Sequence, residues 1–242
     1  MGGASALLGA RGAALAALAA ALGTYYAIDS HLWEASLWWD IAWLAFALIP
    51  AVFGLVGLAL PLWRGRGPIV LALAFAAVAA GCEVASADIA ANFAKLAAVT
   101  FFAWWFLTFF EALGWVVTVA CIIPFVDGYS VWRGPTRHIV ENEHGVFTAL
   151  SIAFPVPGGG GAANLGLPDV LFFALFLAAS VRFGLRVLPT WACMAASVGA
   201  TMALAVAFDL AGLPALPLIS VGFLLPNADL IWRRLRARRE LS

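Results

Sequence analysis

Charged residues are scarce in this sequence, and neither sign is in excess. Only 11% of the 242 residues are Asp, Glu, Lys or Arg, and the formal net charge is zero. Because about a quarter of the residues of a soluble domain are charged, this composition excludes an ordinary soluble protein. The neutral balance also argues against nucleic acid as a partner, since binding to phosphates requires a basic surface.

Cysteine and histidine are rare as well. Cys82, Cys121 and Cys193 lie in apolar runs without CxxC spacing, so the sequence predicts neither a disulfide framework nor a thiolate metal site. His138 and His144 have no third ligand near them, and we expect both to be solvated rather than metal-binding. The sequence therefore predicts no metal and no other cofactor.

Apolar runs make up most of the chain. Hydrophobic residues account for 64% of it, and the mean hydropathy is +1.00, which predicts an integral membrane protein embedded in a lipid bilayer. Stretches of about 20 apolar residues predict an all-α, polytopic bundle of eight to nine spans. The segments are 4–27, 41–63, 68–86, 91–110, 112–132, 163–184, 188–209 and 213–232. A cleaved signal peptide is the alternative for the first segment, but no small-x-small cleavage site follows it.

The basic residues suggest an orientation for these spans. If eight spans begin inside, ten of the thirteen Lys and Arg residues fall on the inner side, as the positive-inside rule requires. Only Lys95, Arg133 and Arg137 fall outside. The distribution predicts a multi-pass membrane protein with cytoplasmic termini.

The chain is interpreted as one membrane domain, 1–242, in three parts. Residues 1–132 hold the N-terminal helices, 133–162 form a polar, glycine-rich loop, and 163–242 hold the last helices. Four successive glycines, Gly158 to Gly161, end the loop and predict a flexible hinge.

Two aspartates lie in sequence that a membrane helix normally keeps free of charge. Asp127 ends the apolar run from Trp115, and Asp169 begins the run Val170 to Leu177. A carboxylate at membrane depth costs a few kcal/mol, so such residues are by default functional and need a partner. We expect each aspartate to be the partner of the other, on neighbouring helices that face a water-accessible cavity.

A pair of carboxyl groups can perform hydrolysis without a metal, Ser or Cys. Two carboxyls within hydrogen-bonding reach do not both ionise easily. The ionised member can then take a proton from water while the protonated member polarises a carbonyl oxygen.

Three motifs resemble those of a known family. Gly134-Pro135, Arg137 and Val140-Glu141 follow Asp127 in the order found after the first catalytic aspartate of presenilins. Gly166-Leu167-Pro168-Asp169 resembles the Gly-x-Gly-Asp motif of the second aspartate. Leu213-Pro214-Ala215-Leu216-Pro217 resembles the Pro-Ala-Leu motif of the last helix. The sequence is similar to presenilins, signal peptide peptidases and their microbial homologues over roughly its C-terminal half. The resemblance to the microbial homologues implies a prokaryotic cell membrane.

The resemblance implies an intramembrane aspartyl protease that cleaves transmembrane segments of membrane proteins. It makes Asp127 and Asp169 the catalytic residues. It also implies that six residues bind substrate beside them: Gly166, Leu167, Pro168, Pro214, Ala215 and Leu216. Because cleavage requires an unwound substrate, we expect Gly158 to Leu167 and the segment Leu213–Pro217 to pair with it as a strand.

The sequence departs from the family at two positions. Val126 stands where the family has Tyr, and Pro168 replaces a Gly and removes a backbone N–H near Asp169. One alternative interpretation is therefore a catalytically inactive homologue that only binds helices. Two others are a prepilin-peptidase-type protease, although the sequence has no CxxC-bearing loop, and a proton-coupled transporter or channel, although the sequence has no matching halves that would indicate inverted repeats.

The remaining acidic residues are predicted to be structural. Asp229 is four residues from Arg233, a spacing that predicts a surface ion pair on one helix. Glu83, Asp88 and Asp209 lie near predicted span ends, where we expect them to be solvated.

Overall fold

The computed structural model describes residues 2–65, 67–133, 149–159, 162–208 and 213–239, and these are mostly helical. The helices are α1 (Gly2–Ile28), α2 (Leu37–Trp43), α3 (Ile49–Ala59), α4 (Pro68–Val84), α5 (Asp88–Phe106), α6 (Leu113–Arg133), α7 (Leu167–Arg182), α8 (Val187–Ala207), α9 (Leu216–Leu224) and α10 (Ala228–Arg239). A π-helical stretch, Leu44–Leu48, joins α2 to α3, and a 3-10 turn, Leu225–Asn227, joins α9 to α10.

Five of the helical segments are long and apolar enough to cross a membrane. They are Gly9–His31, Leu37–Arg64, Asp88–Phe109, Leu113–Ser130 and Val187–Ala205. Pro68–Val84 is a shorter apolar helix. The described residues thus agree with a helical protein embedded in a membrane, and the count of eight to nine spans stays a prediction.

Helix α7 lies at the centre of the bundle. Every residue from Phe173 to Ser180 is fully buried, which is the pattern of a helix surrounded on all sides. Helices α3, α5, α8 and α9 surround it. Phe53 of α3 stacks on Phe173 with ring centroids 3.9 Å apart, and Phe223 of α9 stacks on Phe176 at 4.7 Å. The helix that carries Asp169 is therefore held from several directions.

Glycines allow α8 to approach its neighbours closely. A Cβ at Gly222 of α9 would lie 2.9 Å from the Met194 backbone of α8. A Cβ at Gly199 of α8 would lie 2.9 Å from the side chain of Ala45, in the π-helical stretch. Small residues at such crossings are the usual way in which membrane helices gain packing contacts.

A β-hairpin replaces the predicted start of the second aspartate helix. Strand β1 (Ser151–Pro155) pairs antiparallel with β2 (Ala162–Gly166), and Ser151 lies opposite Gly166. The prediction that a span begins at residue 163 is wrong, because the chain stays extended to Gly166 and α7 begins at Leu167. Extended backbone here exchanges its hydrogen bonds with β1 instead of forming helical ones. The second aspartate consequently lies where a strand turns directly into a helix.

Basic residues collect at the end of the bundle opposite this hairpin. Arg182, at the end of α7, donates a hydrogen bond to the Leu107 carbonyl beyond α5. Arg234 of α10 donates to the Gly184 carbonyl at 3.2 Å. The structure therefore places these arginines at one end of the bundle, as the predicted orientation requires. The side of the membrane on which this end lies stays a prediction.

The expected ion pair between Asp229 and Arg233 is wrong. The Arg186 guanidinium instead donates to both carboxylate oxygens of Asp229, at 2.7 and 2.9 Å. The turn Leu225–Asn227 brings the first turn of α10 beside the connection between α7 and α8, where a two-bond guanidinium contact outcompetes a single local pair. The backbone N–H of Arg186 also donates a hydrogen bond to Asn227 Oδ1 at 2.9 Å.

Candidate active site

Asp127 lies in the last two turns of α6. Pro124 is inside the same helix and cannot donate its backbone nitrogen to the helical ladder, which loosens the turn before the aspartate. The Asp127 side chain is half-buried, and its Oδ2 accepts a hydrogen bond of 3.1 Å from the backbone N–H of Leu216.

Leu216 is the first residue of α9, so its N–H has no partner within the helix. The N-terminus of α9 therefore points an unused donor and its positive dipole end at the carboxylate. Pro217, in the same first turn, fits because its missing N–H would also have been unpaired.

Asp169 lies at the third position of α7, whose N-terminal cap is Gly166. The backbone N–H of Gly166 hydrogen bonds to the Asp169 carboxyl. Many helix N-termini are stabilised in this way, by an acidic side chain at the third helical position that accepts a hydrogen bond from the backbone N–H of the cap residue. A Cβ at Gly166 would lie 3.4 Å from Asp169 Oδ2, so glycine leaves room beside the carboxyl.

Pro168 does not deprive Asp169 of a donor, contrary to the expectation from the sequence. It occupies the first turn of α7, where proline is tolerated because that N–H would lack a helical partner. The donor comes from Gly166 instead. The Pro168 side chain is exposed, and so is Val126, with 53% of its surface accessible.

The structure brings the two aspartates together. Helices α6 and α7 contact each other, and the Asp127 and Asp169 carboxyls are close enough to interact electrostatically. The prediction that their helices are neighbours is confirmed. A water-accessible cavity between the carboxyls stays a prediction.

The segment Leu213–Pro217 reaches the same place from the other side. Pro214, Ala215 and Leu216 are buried, with 4% of Ala215 exposed. The predicted proximity of this segment to the aspartates is confirmed by the hydrogen bond from Leu216 to Asp127. A role in binding substrate stays a prediction for all six proposed positions.

The outer edge of β1 is covered by side chains of the bundle. Asn92 of α5 accepts from the Ala153 N–H at 2.8 Å and donates to the Ala153 carbonyl at 2.9 Å. Tyr26 donates to the same carbonyl, and Tyr25 donates to the Pro155 carbonyl, both at 2.8 Å. These bonds take the place of a neighbouring strand.

The outer edge of β2 has no such cover in the described part of the chain. Leu167 N–H bonds to the Leu150 carbonyl at 3.0 Å. Since bonded pairs alternate in an antiparallel ladder, Asn164 and Gly166 direct their backbone groups away from β1. Among the described residues, no strand other than β1 pairs with β2. The edge is therefore open at Asn164, whereas the Gly166 N–H is bonded to the Asp169 carboxyl.

Sequence reasoning missed the residues that hold the hairpin. Asn92 is the only amide in an otherwise apolar stretch of α5, and it is 6% exposed. Because a buried amide in an apolar helix needs hydrogen-bond partners, Asn92 could have been identified from the sequence on this ground. The motif residues Gly134, Pro135, Arg137, Val140 and Glu141, together with His138 and His144, lie outside the described residues.

The arrangement suits acid and base chemistry on one bond. Each carboxyl receives a backbone N–H at a helix N-terminus, and the two carboxyls influence each other. Among the described residues, no cluster of three His, Cys, Asp or Glu side chains is placed to hold a metal ion. No protein-family model, no curated protein and no solved structure matches this chain.

Proposed function

We propose that this protein is an intramembrane aspartyl protease of the presenilin and signal peptide peptidase type, which hydrolyses peptide bonds within transmembrane segments. The observation that carries the proposal is the meeting of Asp127 and Asp169 at the N-termini of α9 and α7, beside an open strand edge. A structural pair of acids would need no such edge.

In this mechanism the two carboxyls share the work of one hydrolysis. The ionised carboxyl removes a proton from water, whose oxygen attacks the carbonyl carbon, while the protonated carboxyl donates a hydrogen bond to the carbonyl oxygen. Transfer of a proton to the amide nitrogen then breaks the C–N bond. The two aspartates act as one titrating unit, so neither is assigned a fixed role.

Strand β2 supplies what an unwound substrate needs. A helical peptide bond is shielded by its own hydrogen bonds, so the segment must become extended before its carbonyl is reachable. In a membrane the freed backbone groups require partners. Asn164 offers outward backbone groups two residues before the Gly166 cap, and a substrate strand added there would deliver its next residues to the carboxyls.

The test is cleavage of a reporter transmembrane peptide by purified protein in liposomes. Asp127→Asn and Asp169→Asn should each abolish cleavage, and the double variant should be no worse than either, because the pair acts as a unit. The matched control is Asp88→Asn, an exposed aspartate at the start of α5, which should cleave normally.

Two outcomes would contradict the proposal. Turnover that persists in both single variants would show that the aspartates are not catalytic. Proton flux through the liposomes that depends on the aspartates, without any peptide cleavage, would identify a transporter instead.

A further inference from the structure

A cleft separate from the aspartates opens on the surface of the bundle between α1, α3, α7 and α8. Its apolar part has a volume of about 350 Å³ and is lined by Gly54, Leu177, Leu188 and Trp191, among others. A second part of about 450 Å³ contains Arg11, Trp63 and Arg64. Gly57, Leu58, Leu60 and Val187 line both parts, so the two form one continuous cleft.

The two ends of the cleft differ in chemistry. The inner end is hydrocarbon, and its only polar side-chain group is the Trp191 indole N–H, which already donates to the Phe53 carbonyl at 3.0 Å. The outer end holds two exposed guanidinium groups, and none of the described residues that line either part is acidic. Neither Arg11 nor Arg64 has an acidic partner among the described residues.

The dimensions match one lipid chain. From Gly54 to Arg64 the chain rises about 15 Å, which is half of the hydrocarbon core of about 30 Å and so the depth of one leaflet. The two parts, about 350 and 450 Å³, spread over that depth give an average width of about 8 Å, which is less than the width of about 10 Å that a helix needs. The cleft therefore fits an acyl chain rather than a protein helix.

We propose that this cleft binds one anionic phospholipid, with an acyl chain in the apolar part and the phosphate between Arg11 and Arg64. Guanidinium groups are suited to phosphate oxygens, and Trp63 lies at the end of the candidate span Leu37–Arg64, the position at which tryptophans are enriched beside lipid headgroups. The arginines lie at the basic end of the bundle, where anionic lipid is attracted to clustered positive charge.

The site is distinct from the candidate active site. Val181, which lines the cleft, is twelve residues beyond Asp169 on α7, a rise of about 18 Å. Leu177 and Val181 nevertheless belong to the helix that carries Asp169. A bound lipid would therefore contact α3, α7 and α8 together and stabilise the bundle.

Lipid binding is measured on purified protein in detergent by native mass spectrometry. The probes are phosphatidylglycerol and phosphatidylcholine with the same acyl chains. Wild type should retain phosphatidylglycerol preferentially. Each arginine near an anionic headgroup contributes about a fivefold preference, so Arg11→Gln with Arg64→Gln should reduce the preference by roughly 25-fold. Both side chains are exposed, and the double variant should fold.

The matched control is Arg233→Gln with Arg236→Gln. It removes two exposed positive charges from the same end of the bundle without touching the cleft. A preference that survives in the Arg11/Arg64 variant, or falls equally in the control, would overturn the proposal.

Two further arms test the acyl chain. Gly57→Val should fill the shared section of the cleft, where a Cβ would already lie 3.6 Å from Trp191, and should weaken retention of both lipids. Glycerol phosphate, which has no acyl chain, should not raise the melting temperature of the wild type. If it protects as well as phosphatidylglycerol, the site binds phosphate alone and the lipid proposal is wrong.

Discussion

The bond between Asn92 and the hairpin allows a sharp test of how the candidate site is held. Replacing Asn92 with Leu keeps the branched shape of the side chain but removes both hydrogen bonds to Ala153. The Ala153 carbonyl keeps its bond from Tyr26, whereas its N–H loses its partner. An unpaired buried donor costs about 1–3 kcal/mol, and Ala153 is half-buried, so we expect β1 to open more easily by about 2 kcal/mol.

This free energy corresponds to about 30-fold faster amide exchange in the hairpin, since about 1.4 kcal/mol is a factor of ten. Hydrogen–deuterium exchange with mass spectrometry on a peptide covering 150–167 measures it. Tyr26→Phe is the matched comparison. It leaves the Ala153 N–H paired and should accelerate exchange only about fivefold, the effect of losing one bond of about 1 kcal/mol.

Exchange in a peptide from α8 should not change in either variant, which separates local opening from global unfolding. If Asn92→Leu leaves the hairpin as protected as the wild type, Asn92 does not anchor β1. A larger effect of Tyr26→Phe than of Asn92→Leu would refute the same reasoning.

Three further predictions concern packing, charge and the open edge. Gly222→Ala should lower the thermal stability by about 1–3 kcal/mol, because its Cβ meets backbone at 2.9 Å, whereas Gly81→Ala, with nothing within 4 Å, should not. The hydrogen bond from Arg186 lowers the pKa of Asp229, so the stabilising effect of the pair is present at neutral pH and is lost as the pH falls through this lowered pKa. The melting temperature of Asp229→Asn should therefore be below that of the wild type at neutral pH and converge with it in acid. Asn164→Pro removes one outward N–H from β2 and should reduce kcat/KM for the reporter peptide by about 2- to 10-fold. Asn164→Ala keeps that N–H and should leave kcat/KM unchanged. Equal losses of kcat/KM in both variants would exclude strand pairing at this edge.

The order of the helices could be predicted because each apolar run is a local property of the sequence. Runs of about 20 residues indicate membrane helices regardless of their neighbours, and most described helices overlap the predicted segments with ends that differ by a few residues. The predicted last span, 213–232, is wrong as one helix, because the turn Leu225–Asn227 divides it into α9 and α10, and α10 continues to Arg239. The placement of Leu216 beside Asp127 was predicted from two prolines that interrupt regular helix near Ala215. In the structure the interruption ends at Ala215, and α9 begins at Leu216 with Pro217 in its first turn. Both predictions used only residues that are close together in the sequence.

The hairpin and the Asp229 ion pair could not be predicted in this way. Strands of five residues carry little periodic signal, and β1 depends on Asn92, which is 61 positions away. Arg186 is 43 positions from Asp229, so a local spacing of four residues pointed to the wrong partner. Contacts of this kind are set by tertiary packing, which local propensity does not encode.

The covered edge of β1 has a consequence for how molecules of this protein can associate. A strand edge is a template for another chain, and a sheet with two open edges can add chains on both sides without limit. Here the side chains of Asn92, Tyr25 and Tyr26 block one side, so growth through this hairpin can occur only at β2. Pairing of two copies edge to edge would use up both open sides and stop at a dimer. The hairpin thus leaves one strand edge open to pairing without being able to seed a fibre.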